Sequence, residues 1–198
     1  GGVRGDGEDR TVQGGRNASE AGIWSIAHST GLNEELHTLR AQKSIYRAGT
    51  DTPDTLAGHP VSAQAYQRNV ASLKDAYAKK VPLTFSTDAD YYVAGKTRGE
   101  VCMEFLKTWK DAGIPNVDIL RAMTIGGYKV SETEKTRGPI KAGFFADLIA
   151  VPGNPLDDVD ALKSVQFVMK DGQVFKQDGV MTTASFFHGG PGNGWRIR

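Results

Sequence analysis

The sequence predicts an α/β fold: three strand–helix units feeding a parallel sheet, followed by a small antiparallel β segment. Two observations carry that class. Up to residue 112, short apolar runs alternate with amphipathic stretches, the rhythm of βα units. In the last third the period changes. Asp171-Gly172, set between flanks rich in valine and phenylalanine, marks a type I′ hairpin there. The length of 198 residues allows one domain or one and a fraction.

Residues 1–17 are glycine-rich and charged, with Val3 and Val12 as their only aliphatic side chains, and predict loop or disorder. Residues 23–28 are an apolar run ending in His28 and predict a buried strand between Gly22 and Gly31. Residues 33–42 predict a helix with Leu36 and Leu39 on one face and Asn33 as its cap. Residues 45–48 predict a second strand, closed by Gly49-Thr50-Asp51. Over residues 62–80, Tyr66, Val70, Leu73 and Tyr77 recur at helical spacing and predict an amphipathic helix. Residues 81–87 predict a third strand, ending at Asp88. Thr97-Arg98-Gly99-Glu100 is a capping box. It opens a helix with Val101, Phe105 and Trp109 in register, which Gly113 stops after Ala112. A short helix is expected over residues 116–125, then a strand over 146–151 closed by Pro152-Gly153-Asn154-Pro155. Residues 165–170 and 173–176 form the hairpin. Three segments result: a polar stretch over 1–20, the α/β part over 21–130 and the β segment with its tail over 131–198.

Composition narrows the function. Lysine plus arginine number 24 and aspartate plus glutamate 23, a net charge of +1. So even a balance supplies no field for steering onto nucleic acid, and no nucleic-acid partner is expected. No run of about 18 apolar residues occurs, so no membrane span is expected. The single cysteine, Cys102, excludes an internal disulfide and a multi-cysteine zinc site. The chain opens on glycine, so its start is expected to have been trimmed or lost, and no signal-peptide segment precedes residue 17.

Few side chains can carry chemistry. His28 ends a strand, where an imidazole serves as a metal ligand or as a hydrogen-bonded histidine near the sheet edge. Asp88 ends another strand. A carboxylate there is a metal ligand or proton acceptor, or else it closes an Asx turn or caps a helix. His59 lies in a loop, facing substrate or solvent. Tyr91 and Tyr92 line a pocket mouth or pack on the rim. His37, on a helix, is expected to be solvated, and Cys102 to be a packed thiol. The tail around His188 lacks the Gly-Lys-Ser/Thr of a phosphate loop, and neither Gly-x-Ser-x-Gly nor His-Glu-x-x-His occurs.

Taken in order, these features resemble the metal-dependent amidohydrolases, in the imidazolonepropionase-like and Xaa-Pro dipeptidase-like branch. Ala21-Gly22-Ile23-Trp24-Ser25-Ile26-Ala27-His28 resembles that family's AG-x-x-SI-x-H strand, and Ser86-Thr87-Asp88-Ala89 its GTDA strand. Arg137-Gly138-Pro139-Ile140-Lys141-Ala142-Gly143 with Ala146-Asp147-Leu148 resembles its return to a β-sandwich, which Asn154-Pro155-Leu156 and Val168-Met169-Lys170-Asp171-Gly172 continue. The resemblance runs from about residue 21 to residue 178.

What it implies is the C-terminal portion, about three βα units, of a TIM (β/α)8 barrel with a sandwich-forming segment. It further implies zinc or another divalent metal, one or two ions, with His28 and Asp88 as ligands. Asp88 would also shuttle the proton to the leaving nitrogen while metal-activated water attacks the amide. Acyl-amino acids and dipeptides are the implied small-molecule substrates, with Tyr91, Tyr92 and His59 at their edge.

Three departures qualify this. The His-x-His of the family's first strand, the lysine of its fourth and the histidine of its fifth have no counterpart, so His28 and Asp88 alone do not make a zinc site. Ser86 stands where the family usually has glycine. Residues 1–17 do not read like the barrel sequence expected before the sixth strand. A second expectation is therefore a catalytically silent fragment or assembly element, which would self-associate into a homo-oligomer through unpaired strand edges. A third, a small α/β binding domain, requires His28 and Asp88 to point apart.

Overall fold

Four short strands lie side by side in parallel: β1 (Asp6–Glu8), β2 (Ser25–Ala27), β3 (Tyr46–Thr50) and β4 (Leu83–Ser86), in that order across the sheet. Ile26 pairs with Arg47, and Thr50 with Ser86, so the carboxyl ends of β2, β3 and β4 line up. The computed structural model describes residues 6–8, 11–28, 34–90 and 92–182.

Each crossover is helical, as parallel pairing requires. The strands are joined by α1 (Val12–Glu20), α2 (Glu34–Lys43) and α3 (Ala63–Ala78). In α3 the Ser62 hydroxyl accepts from the Ala65 amide, and Tyr66, Leu73 and Ala76 are buried. Val70 and Tyr77, placed on the same stripe by their spacing, stay half-buried.

The first segment departs from expectation. Residues 1–17, read as loop or disorder, contribute β1 and most of α1, so four strands stand where three were expected. Thr11 caps α1 by accepting from the Gly14 amide, and Ser19 is fully buried. The glycines explain the misreading. A Cβ at Gly15 would lie 2.9 Å from Leu36 Cδ2, so glycine is what lets α1 lie close against α2. Glycine content that lowers intrinsic order here serves packing.

His37, expected in solvent, is 1% exposed. Its Nδ1 lies 2.7 Å from Asp75 Oδ2 on α3, so it ties α2 to α3. Leu39, expected beside Leu36 on the apolar face, is only half-buried, and Arg40 is buried in its place. The Asn33 cap and the Gly31 boundary lie outside the described residues.

The helix expected over residues 98–112 is two helices, α4 (Arg98–Glu104) and α5 (Leu106–Asp111), interrupted at Phe105. Its capping box is formed in both directions between Thr97 and Glu100. Beyond Gly113 (φ 75°), α6 (Asn116–Arg121) runs into a π-helical turn at Ala122–Gly126 and then α7 (Gly127–Val130). A Cβ at Gly126 would sit 2.8 Å from the Leu83 carbonyl oxygen, so glycine permits the turn to press on β4.

The core beneath β3 holds a buried ion pair. Arg47 and Asp51, both with 0% side-chain exposure, join through two hydrogen bonds of 2.9 and 2.6 Å. A Cβ at Gly49 would strike the Arg47 guanidinium, so the glycine leaves the arginine its path.

A second compact unit begins at Thr133. Its strands β5 (Leu148–Ala150), β6 (Phe167–Lys170), β7 (Gln173–Gln177) and β8 (Val180–Met181) form an antiparallel sheet in sequence order. Asp171 (φ 52°) and Gly172 (φ 79°) turn β6 into β7. A second Asp-Gly pair, Asp178 (φ 50°) and Gly179 (φ 79°), repeats the device before β8, a strand the sequence reading left out. Asp147 holds the first turn by accepting from the Asp171 amide at 2.9 Å. None of the residues in these four strands is fully buried.

Among the described residues no helix is long and apolar enough to cross a membrane.

Candidate functional site

Two side chains meet at the carboxyl end of the parallel sheet. His28 follows β2 directly and Asp88 follows Thr87 just past β4, on either side of β3. Their Nε2 and Oδ2 atoms are 3.3 Å apart, with side-chain exposures of 14% and 58%. Thr50, the last residue of β3, lies between them, its Oγ1 3.0 Å from His28 Nδ1. A carboxylate on one ring nitrogen and a hydroxyl on the other fix the orientation of the imidazole.

Both residues adopt left-handed backbone, His28 at φ 54° and Asp88 at φ 48°. Non-glycine residues rarely occupy that region unless the surroundings impose it. Around Asp88 the imposition is visible. Ala89 is buried in a cluster with Leu56, Val101 and Phe105, and its carbonyl accepts from Arg98 Nε. The chain must therefore reverse at Asp88, which turns the carboxylate outward to His28. Cys102 is half-buried against this cluster, with Sγ 3.3 Å from Thr87 Oγ1, as expected for a packed thiol.

The pair lies in a cleft of about 550 Å³. His59 lines it, together with Thr50, Thr52 and, from α3, Ala65, Arg68 and Asn69. Tyr92 does not. It is 86% exposed and lines a smaller depression of about 290 Å³ that shares only Asp90 with the cleft. The chain reversal that seats Ala89 carries it past the cleft's edge. Tyr91 and His188 lie outside the described residues. Sequence reasoning passed over Thr50 and Arg68. Thr50 could have been found as the end of the intervening strand, since side chains at the carboxyl ends of parallel strands border the site.

Two ligands of one tetrahedral zinc ion, each at about 2.0–2.1 Å, are separated by roughly 3.3 Å. The His28–Asp88 spacing suits that arrangement. The donor set does not complete it. Among the described residues no group of three or more His, Cys, Asp or Glu side chains could hold a metal ion, and a catalytic zinc site takes about three protein ligands. The described residues therefore do not fit a whole metal centre.

The sequence profile of the amidohydrolase family matches residues 5–175. The chain belongs to the amidohydrolase family. The match begins within the first segment, so the resemblance starts earlier than residue 21, in keeping with the fourth strand and α1. This amidohydrolase is 24% identical to ochratoxinase from Aspergillus niger over 177 residues, which cover 82% of this chain and 36% of that protein. Among solved structures it is similar to a Xaa-Pro dipeptidase with bound methionine in the active site, with a TM-score of 0.75 and 26% identity. That likeness covers 88% of this chain and 45% of the dipeptidase. The A. niger ochratoxinase structure matches with a TM-score of 0.69 and 22% identity, over 88% of this chain and 42% of the other. The chain thus spans less than half the length of these relatives.

Proposed function

We propose that this amidohydrolase chain is the C-terminal portion of an amide-bond hydrolase acting on acyl-amino acids or dipeptides. In this reading the parallel sheet is part of a (β/α)8 barrel, residues 131–198 form a sandwich segment, and His28 and Asp88 belong to the reaction centre. The observation that carries it is the 3.3 Å approach of His28 and Asp88 at the strands' carboxyl ends. A carboxylate within hydrogen-bond reach of an imidazole can hold a proton and return it to a leaving amine. His59 borders the same cleft and would contact substrate, whereas Tyr91 and Tyr92 are proposed only for its outer edge. A relative with methionine in its active site supports a reaction that releases an amino acid.

Metal dependence, with zinc or another divalent ion, is proposed for the assembled enzyme, whose remaining ligands lie outside the described residues. The test compares zinc content and hydrolysis of N-acyl-amino acids by this chain and by a longer protein joining it to the remaining barrel strands of a family member. Zinc and activity confined to the longer protein, and lost there in H28A and D88N, are expected. Equal zinc and equal activity in both proteins would contradict the ligand accounting.

One observation favours a second reading, a self-associating element without catalysis. None of the strand residues of β5–β8 is fully buried, and Ile149, Val180 and Met181 are each more than half exposed. Such a sheet calls for a covering layer. A homo-oligomer would supply it, and sedimentation showing only monomer at micromolar concentration would end that reading.

A further inference from the structure

We infer that Arg68 is the anion-recognition residue of the cleft, selecting substrates that carry a free carboxylate near the scissile amide. The inference rests on the proposed function and adds a specificity determinant to it. Ala65, Arg68 and Asn69 stand three and four residues apart on α3, hence on one helix face, and all three line the cleft. Asn69 is 8% exposed and donates to the Thr52 carbonyl at 3.1 Å, which holds that face against the loop leaving β3. Arg68 is thereby carried on the α3 wall of the cleft.

Four other arginines among the described residues meet carboxylates. Arg16 meets Glu35, Arg47 meets Asp51, Arg121 meets Asp118 and Arg137 meets Asp147. Arg68 pairs with no carboxylate among the described residues, although Asp88 and Asp90 line the same cleft. Asp88 is turned to His28 instead. The cleft therefore offers three chemistries together: the His28–Asp88 pair, the apolar side chain of Val61 beside the buried Leu56 and Phe105, and a guanidinium with no carboxylate partner among the described residues. An acyl-amino acid matches all three, through its amide, its apolar side chain and its carboxylate. A guanidinium takes a carboxylate through two parallel N–H donors, which an ammonium cannot copy.

The test is equilibrium binding of N-acetyl-L-leucine and of N-acetyl-L-leucinamide to the 198-residue chain by calorimetry, with R68K and R68Q alongside. The expected result is at least about tenfold tighter binding of the acid than of the amide. R68Q should erase that preference and R68K retain part of it, with unfolding midpoints unchanged because Arg68 is exposed. Equal binding of acid and amide, no binding of either at millimolar concentration, or an R68Q variant that keeps the preference would each overturn the inference. Because the readout is binding, failures separate. A chain that binds the acid through Arg68 and hydrolyses nothing, even when completed, sinks the proposed function alone. Hydrolysis without any preference for the acid sinks this inference alone.

Discussion

His28 and Asp88 leave their strands in the same left-handed conformation, at φ 54° and 48°, and their side chains meet at 3.3 Å in front of the strand that separates them. The local backbone cost of each is of the order of 1 kcal/mol and is offset by packing elsewhere, here the burial of Ala89.

Glycine relieves that cost and alanine does not. Asp88→Gly should unfold at a higher urea concentration than Asp88→Ala, by about 1 kcal/mol in free energy, and the same order should hold for His28→Gly against His28→Ala. Identical midpoints for the glycine and alanine variants would show that the reversal is not imposed.

Arg47 and Asp51 are buried together without solvent contact. Arg47→Met or Asp51→Asn leaves the partner buried without its counter-charge and should destabilise the chain by about 3–5 kcal/mol in urea unfolding. The double variant R47M/D51L should recover most of the loss, because the penalty lies in the stranded charge. A double variant no more stable than the singles contradicts this account.

Burial holds the His37 imidazole below its ordinary value of 6.5, against the pull of Asp75. The unfolded chain then takes up the proton more readily than the folded one, so stability is full above about 6.5 and falls as the pH drops towards the folded value. Burial pushes Asp75 up, but Lys79 and His37 outweigh it and hold the carboxylate below its usual range, a contribution lost only in stronger acid. Thermal midpoints measured from pH 7.5 to 5.5 should fall for the native chain and flatten in H37Q. A steeper acid loss in H37Q would reverse the assignment.

Gly15 tests the place of the first segment. Valine there must displace Leu36 or Arg40, whose atoms stand 2.9 and 3.1 Å from the added Cβ position. Gly15→Val should cost about 1–3 kcal/mol by overpacking, read from chemical unfolding. A neutral substitution would return residues 12–20 to the unpacked state that their composition suggests.

The legible parts of the fold share a local cause. The Thr97–Glu100 box and the Asp171-Gly172 turn act within three residues of chain, and each formed as expected. The α1 helix was missed because its glycine-bearing sequence gives no sign of the close approach to Leu36 on α2. His37 was misplaced because one polar residue on a helix carries no sign of a partner on another helix. At the candidate site, strand ends pointed to His28 and Asp88, whereas Thr50 and Arg68 acquire meaning only from what stands beside them.

By itself the sequence determined the alternation of strand and helix, the hairpin and the family, since these follow from short-range periods and ordered motifs. Tertiary structure alone decided that Thr50 stands with His28 and Asp88, that Arg47 and Asp51 are sealed together and that Arg68 faces the cleft. Desolvation and charge pairing depend on segments remote along the chain, and no local pattern records which of them will meet.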